Sequence, residues 1–143
     1  MTKRILAPIS AEEQSEAVVP LVAALARETG ATVRLLRVFP VPERIVGTHG
    51  RTVAYVDQEM ARLTSEGLDE LARVETSLPG VPVERVVRFG DPEEEILVEA
   101  EVFGADLIAL TANKRSRLLN VIAPDVAERV AGKSPVPAVV LRG

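Results

Sequence analysis

The segment VERVVRFGDPEEEIL, residues 83–97, contains a complete transition from a predicted strand to a predicted helix. Residues 83–89 are the strand, Asp91 follows as the N-cap, and Pro92 takes the first helical position. The acidic run 93–95 has two readings: a metal or acid–base cluster, or a first turn whose carboxylates complement the helix dipole. We adopt the second because it needs no ligand. The helix then turns four apolar side chains inward and ends at Gly104; these are Ile96, Leu97, Ala100 and Phe103.

The same alternation of strand and helix extends along the chain in both directions. Apolar runs predict further strands at residues 5–9, 32–38, 106–110 and 135–141. Helical periodicity predicts helices at residues 12–29, at about 53–77, and at a short segment with Ile122, Val126 and Val130 on one face that ends at Gly132. Pro20 predicts a kink or a loosened first turn in the first helix. The segments 39–52 and 111–120 are predicted as loops.

Five strands joined by four helices indicate right-handed crossovers and a mostly parallel sheet. The first and fourth strands are the purest apolar runs, so we place them at the centre, covered on both faces. The second and third strands carry charged side chains and suit positions nearer an edge. The predicted fold class is therefore α/β, an open five-stranded parallel sheet of order 3-2-1-4-5 with helices on both faces, in one domain of 143 residues. The order reverses at the carboxyl ends of strands one and four, at Ser10 and Thr111, where such sheets bind ligands.

Composition excludes several classes of function. The net charge of -4 argues against a general nucleic-acid binder, whose binding surface needs an excess of basic side chains. The chain has no cysteine and one histidine, His49, which excludes a disulfide framework, a thiolate metal site and a site built on several imidazoles. We find no signal-peptide pattern and no apolar run near the ~20 residues that a membrane span needs. A cytoplasmic protein with no nucleic-acid or membrane partner is expected.

Two features close to the predicted loops are candidates for chemistry. His49 lies in a loop with no serine or cysteine motif near it, so a solvated histidine is the simpler interpretation than a catalytic one. The cluster Lys114, Arg115 and Arg117 borders the predicted crevice. It is either a solvated group of charges or an anion-binding surface, and the sequence leaves both readings open.

Several segments together resemble the universal stress protein family. They are GDPEEEIL at residues 90–97, GADLI at 104–108, VAERV at 126–130 and SPVPAVVL at 134–141, with ILAP at 5–8 and SEA at 15–17. The likeness covers essentially the whole chain in the right order and spacing. It implies the 3-2-1-4-5 sheet and a homodimer paired through the last strands, with a dimer strand formed by Val136, Ala138, Val139, Val140 and Leu141.

Many members of that family bind ATP through a loop G-x-x-G-x9-G-[S/T] after the fourth strand, and this chain departs from the loop at every defined position. The three glycine positions are occupied by Thr111, Lys114 and Pro124, and the serine or threonine position by Asp125. Side chains at 111 and 114 crowd the approach of backbone to phosphate, and Pro124 has no N–H to donate. Asp125 repels phosphate, and Ser10 stands where an acidic residue is common. The resemblance thus implies the fold while ATP as a cofactor is disfavoured.

The crevice, as a former nucleotide site, is predicted to be lined by Pro8, Ser10, Val38, Thr111, Asn113, Lys114, Arg115, Pro124, Asp125 and Val126. The first functional hypothesis is a non-catalytic, homodimeric stress-response or adaptor protein with no cofactor, whose partner protein the sequence does not identify. The alternative is a ligand sensor that holds a nucleotide or another anion through the basic loop.

Two further classes fit less well. A phospho-receiver domain would explain the segments LTA at 110–112 and KSP at 133–135, but it needs carboxylates at the ends of strands one and three. Strand one ends at Ser10, and Asp91 is explained as a helix cap. A nucleotide-cleaving enzyme of a related α/β family needs a glycine-rich loop after strand one, where SAEE stands at 10–13, and no nucleophile, base and orienting group come together.

Overall fold

The computed structural model describes residues 2–10, 13–42, 51–112 and 126–142. In chain order the elements are β1 (Arg4–Pro8), a 3₁₀ helix (Glu13–Val18), α1 (Val19–Thr29), β2 (Thr32–Phe39), α2 (Arg51–Glu75), β3 (Val83–Phe89), α3 (Pro92–Phe103), β4 (Leu107–Ala112), α4 (Val126–Lys133) and β5 (Ala138–Arg142). The strands pair in parallel in the order β3-β2-β1-β4-β5. The predicted fold class is confirmed.

The core has two layers, one on each face of the sheet. On one face, odd-numbered residues of β1 and β2 such as Ile5 and Val33 pack against α1 and α2. On the other face, Leu6, Leu36 and Ile108 pack against α3 and α4. Because side chains alternate along a strand, both faces of β1 and β4 must be apolar, which explains their continuous apolar runs.

The strand-to-helix segment that begins at β3 has the predicted structure. The carboxylate of Asp91 accepts a hydrogen bond from the backbone N–H of Glu94 at 3.1 Å, and Pro92 occupies the first turn. Gly104 ends the helix in the left-handed region at φ 70°, a conformation that favours glycine. Glu93 also pairs with Lys133 at 2.6 Å, so this part of the acidic run joins α3 to α4 as well as facing the helix dipole.

Several predicted boundaries were wrong near the ends of elements. The helix predicted at 12–29 is two helices, because the segment before α1 is a 3₁₀ helix and Pro20 lies in the first turn of α1. β1 lies one residue earlier than predicted, β2 extends to Phe39, and α2 begins two residues earlier, at Arg51. In the short helix, Ala127 and Val130 are buried and Val126 is half-buried, while Ile122 lies outside the described residues. That helix continues past Gly132 to Lys133.

The last two strands needed larger corrections. β4 was predicted at 106–110, but it runs from Leu107 to Ala112 because Thr111 and Ala112 pair with β5. They therefore belong to the strand and not to the predicted loop. β5 was predicted from residue 135 and begins at Ala138, because Pro135 and Pro137 cannot donate to a ladder. Val136, predicted in the dimer strand, lies before it and donates its N–H to Ser134 Oγ at 3.1 Å.

Asp106, predicted as the first residue of the fourth strand, lies just before β4, and its side chain binds the backbone at the start of β1. Its Oδ2 accepts hydrogen bonds from the backbone N–H groups of Lys3 at 2.9 Å and Arg4 at 3.0 Å. These two bonds, first the one from Lys3, lower the pKa of the Asp106 carboxyl below its ordinary value of 3.8. Such a group contributes stability above the pKa of the unfolded chain and loses it as the pH falls through the folded value.

We therefore expect Asp106→Ala to have a lower melting temperature than the native protein at pH 7. The difference between the two melting temperatures should shrink as the pH falls from about 4 toward 2.5. Thermal unfolding followed by circular dichroism between pH 7 and pH 2.5 measures it. Asp57→Ala, at an exposed position on α2, is the control and should leave the melting temperature nearly unchanged. A difference between Asp106→Ala and the native protein that is equally large across the whole pH range would contradict the expectation.

Candidate functional site

The predicted crevice lies at the carboxyl ends of β1 and β4. Of its ten predicted residues, the structure describes Pro8, Ser10, Val38, Thr111 and Val126. The predictions that concern Asn113, Lys114, Arg115, Pro124 and Asp125 lie outside the described residues, as do those that concern His49 and Arg117. The described part of the site therefore consists of residues in or next to the strands and of the first residue of α4.

The structure places these residues around the ends of the central strands, on both faces of the sheet. Pro8 is the last residue of β1 and pairs with Leu36 of β2, and Val38 lies two residues further along β2. Val38 and Val126, the first residue of α4, pack against the α3–α4 layer of the core. Thr111 shares the opposite face with Ala109, because both are odd-numbered residues of β4. Pro8 and Val38 thus lie near the carboxyl ends of two neighbouring strands, while Thr111 lies on β4, across the seam from β1.

The backbone pairing between β1 and β4 stops before the carboxyl ends of these two strands. The register between β1 and β4 ends at Leu6↔Ile108. On the outer sides the ladders continue, to Pro8↔Leu36 between β1 and β2 and to Ala112↔Arg142 between β4 and β5. The seam between the two central strands is therefore the part of the sheet where pairing stops first, at the predicted switch point.

A second concave feature lies at the other end of the strands, near the amino-terminal ends of β1, β2 and β3. A cavity of about 280 Å³ is lined by Arg4, Thr32, Arg34, Glu84, Val102 and Phe103. The guanidinium group of Arg34 lies 4.2 Å from the centre of the Phe103 ring, and that of Arg4 lies 5.9 Å from it. Sequence reasoning missed this cavity, because its residues come from four separate elements and no two of them form a motif.

Arg34 belongs to a row of five alternating charges beneath α3, which sequence reasoning also missed. The row is Glu84–Arg34–Glu99–Arg88–Glu95, with an Arg34–Glu84 distance of 2.7 Å and an Arg88–Glu95 distance of 2.8 Å. Burial lowers the pKa of Arg34, but its hydrogen bonds to Glu84 and Glu99 outweigh that effect and hold its pKa above the ordinary value. The pKa of Arg88 is likewise raised, first by its hydrogen bond to Glu95. The charged side chains of this row are therefore paired mainly with one another.

The described part of the chain contains neither a cluster of metal-binding side chains nor a membrane-spanning helix. In residues 2–10, 13–42, 51–112 and 126–142, no three His, Cys, Asp or Glu side chains are grouped so that they could hold a metal ion. Within the same residues, no helix combines the length and the apolar character that crossing a membrane requires.

A comparison with protein families matches residues 1–142 to the Universal stress protein family. The chain belongs to the universal stress protein family. One relative is universal stress protein MJ0577 of Methanocaldococcus jannaschii. The two sequences are 27% identical over 155 residues, which cover 99% of this chain and 96% of MJ0577. The solved structure of MJ0577 superposes with a TM-score of 0.83 and covers 100% of this chain and 97% of that one.

Other solved universal stress proteins share the fold at lower identity. One is a complex with cAMP, 14% identical, with a TM-score of 0.67 and coverage of 98% of this chain and 97% of that one. Another, from Archaeoglobus fulgidus, is a complex with dAMP, 18% identical, with a TM-score of 0.58 and coverage of 98% and 97%. These likenesses support the family fold, and the nucleotides named are ligands of those proteins.

Proposed function

We propose that this chain is a non-catalytic stress-response member of the family that acts as a homodimer and does not bind ATP through the family's phosphate loop. The observation that carries the proposal is the position of Thr111. It stands where the loop has its first glycine, it is a strand residue paired with Leu141, and its side chain is half-buried. A β-branched residue held in a strand lacks the backbone freedom and the open approach to phosphate that a glycine provides at that position.

The other three loop positions support the same conclusion by their chemistry. Lys114 adds a long side chain at the second glycine position, and Pro124 removes a backbone N–H at the third. Asp125 gives the serine or threonine position of the loop a negative charge, which repels phosphate. One such pair at ~4 Å is unfavourable by about 4 kcal/mol at an effective dielectric constant near 20. Together these changes remove donors and add a repulsion.

A second candidate function is a sensor for nucleoside monophosphates. Two structural relatives are complexes with cAMP and dAMP, each of which carries one phosphate group. A ligand with one phosphate needs fewer loop donors than ATP, and the basic cluster around Arg115 supplies positive charge. Calorimetric titrations with cAMP and AMP separate the two proposals: micromolar binding of either favours the sensor, and no binding favours the ligand-free homodimer.

The proposal of a homodimer rests on the edge strand β5. One side of β5 pairs with β4, and the other side is an edge of the five-stranded sheet. Val139, in the middle of this strand, is 37% exposed. An apolar edge strand of this kind tends to pair with another chain, and pairing about a twofold axis would satisfy its free backbone groups.

We expect Val139→Lys to convert a native dimer into a monomer, with dimer affinity reduced at least about a hundredfold, because each substitution counts twice in a twofold interface. Sedimentation velocity at micromolar concentration measures the change. Val102→Lys on α3 is the matched control, since Val102 is 68% exposed and lines a cavity with residues of β1, β2 and β3, which does not include any residue of β5. A native protein that sediments as a monomer would contradict the homodimer, and so would a Val139→Lys variant that remains dimeric.

A further inference from the structure

Pro8 is an unusual residue for its place in the sheet. β1 is the third of five strands and is paired on both sides. Proline in such a strand removes a ladder hydrogen bond and is normally confined to edge strands, first positions and bulges. Pro8 is instead the last residue of β1, at the switch point, so its effect on pairing can be located.

The backbone of β1 faces its two neighbours alternately. Lys3 C=O accepts from Thr32 N–H at 2.9 Å and Ile9 N–H donates to Leu36 C=O at 2.7 Å, so odd-numbered residues face β2. Arg4 C=O accepts from Asp106 N–H at 2.8 Å, on the side of β4. Alternation along the strand therefore turns the backbone of Leu6 and of residue 8 toward β4.

The facing residues of β4 follow in the same way. Ile108 N–H donates to Pro137 C=O at 3.0 Å, which turns the backbone of Ile108 toward β5 and that of Ala109 toward β1. With the register Leu6↔Ile108, the next donor of a parallel ladder would be the N–H of residue 8, and its acceptor would be the C=O of Ala109. Pro8 has no N–H, and the β1–β4 register stops before it.

We infer that Pro8 is a built-in break in the central ladder that keeps the carboxyl ends of β1 and β4 from pairing and so holds the crevice between them open. The β1–β2 ladder continues to Pro8 and the β4–β5 ladder continues beyond Ala109. The break is therefore confined to the seam between β1 and β4, where the crevice lies. Pro8 acts here as a positioning residue: it restricts the backbone and need not touch a ligand. The inference concerns the backbone and holds whichever ligand, if any, the crevice takes.

The test is the variant Pro8→Ala, which restores the missing donor. In native-state hydrogen exchange followed by NMR, we expect the new amide at position 8 to exchange at least about a hundredfold more slowly than an unprotected peptide, because it donates to Ala109 C=O. Pro79→Ala is the matched control: Pro79 is exposed in the turn between α2 and β3, and its new amide should exchange without protection.

An amide at position 8 that exchanges at the unprotected rate, while the amide of Ile9 stays protected, would overturn the inference. Pro8→Val is the second variant, for the case that alanine does not support the fold. It restores the same donor with a β-branched residue that favours strands, and the same two outcomes decide. Binding of ATP, cAMP or AMP does not enter this readout, so failure of the proposed function and failure of this inference are distinguishable.

Discussion

Glu99→Ala is expected to lower the free energy of unfolding by about 3–5 kcal/mol, the range seen when one partner of a buried ion pair is removed. Glu99 is 2% exposed, and its carboxylate accepts from Arg34 at one oxygen and from Arg88 at the other, the latter at 3.0 Å. Without it, the two guanidinium groups beneath α3 keep one carboxylate partner each, Glu84 for Arg34 and Glu95 for Arg88. Urea unfolding at pH 7 measures the change.

The matched control is Glu66→Ala, which removes an exposed carboxylate that pairs with Arg62 on α2. Pairs of this kind contribute about 0–1 kcal/mol, so we expect a change within that range. Glu99→Gln adds a second comparison, since it keeps the shape and loses the charge; it should fall between the native protein and Glu99→Ala. A loss below about 1 kcal/mol for Glu99→Ala would show that the row of charges does not hold α3 to the sheet.

The second large effect is expected when the phosphate loop is restored. The quadruple variant Thr111→Gly, Lys114→Gly, Pro124→Gly and Asp125→Ser should bind Mg-ATP at least about a thousandfold more tightly than the native chain. The gain combines a few charge-assisted backbone contacts at ~1.5–3 kcal/mol each with the removal of one repulsion. Isothermal titration calorimetry measures it.

The triple variant that keeps Asp125 is the matched control for the charge. Because the repulsion alone is worth about 4 kcal/mol at an effective dielectric constant near 20, the triple variant should recover only part of the affinity. A quadruple variant that folds and still fails to bind would show that the adenosine half of the crevice is altered too. Equal affinities of the triple and quadruple variants would contradict the role given to Asp125.

The fold could be predicted from the sequence because its signals are local and repeated. The apolar runs of β1 and β4 indicate strands buried on both faces, and the cap at Asp91 with Pro92 fixes the start of α3 to the residue. Strand order followed from the charges on β2 and β3. These features depend on the side-chain period and on backbone chemistry, both of which can be read along the chain.

The long-range features could not be predicted in this way. Glu99 lies on the inward face of α3 between apolar positions, and only the approach of Arg34 and Arg88 from two strands explains its burial. Gly67 in α2 is a similar case. A Cβ there would lie 2.8 Å from Cε2 of Phe39, so the absent side chain lets the helix approach β2, a contact between residues far apart in sequence. Partners at long range leave no periodic signal.

The strand half of the site was only partly predictable. Pro8 and Val38 were placed at the crevice because strand ends meet there, and the structure puts them at the ends of β1 and β2. Thr111 was expected in a loop and lies in β4, because its pairing with Leu141 depends on where β5 begins. The effect of Pro8 on the ladder required the direction of each backbone group, which a pattern of side chains does not contain.

The most direct test of the proposed function is a calorimetric titration of the native protein with Mg-ATP at physiological salt. We expect no saturable heat at ATP concentrations up to about 1 mM, a thousandfold above a micromolar dissociation constant. The folded state of the sample is checked in the same buffer by its thermal unfolding transition. Binding with a micromolar dissociation constant would contradict the proposal that this chain has lost the ability to bind ATP. It would indicate that side chains of the basic loop bind the phosphates instead.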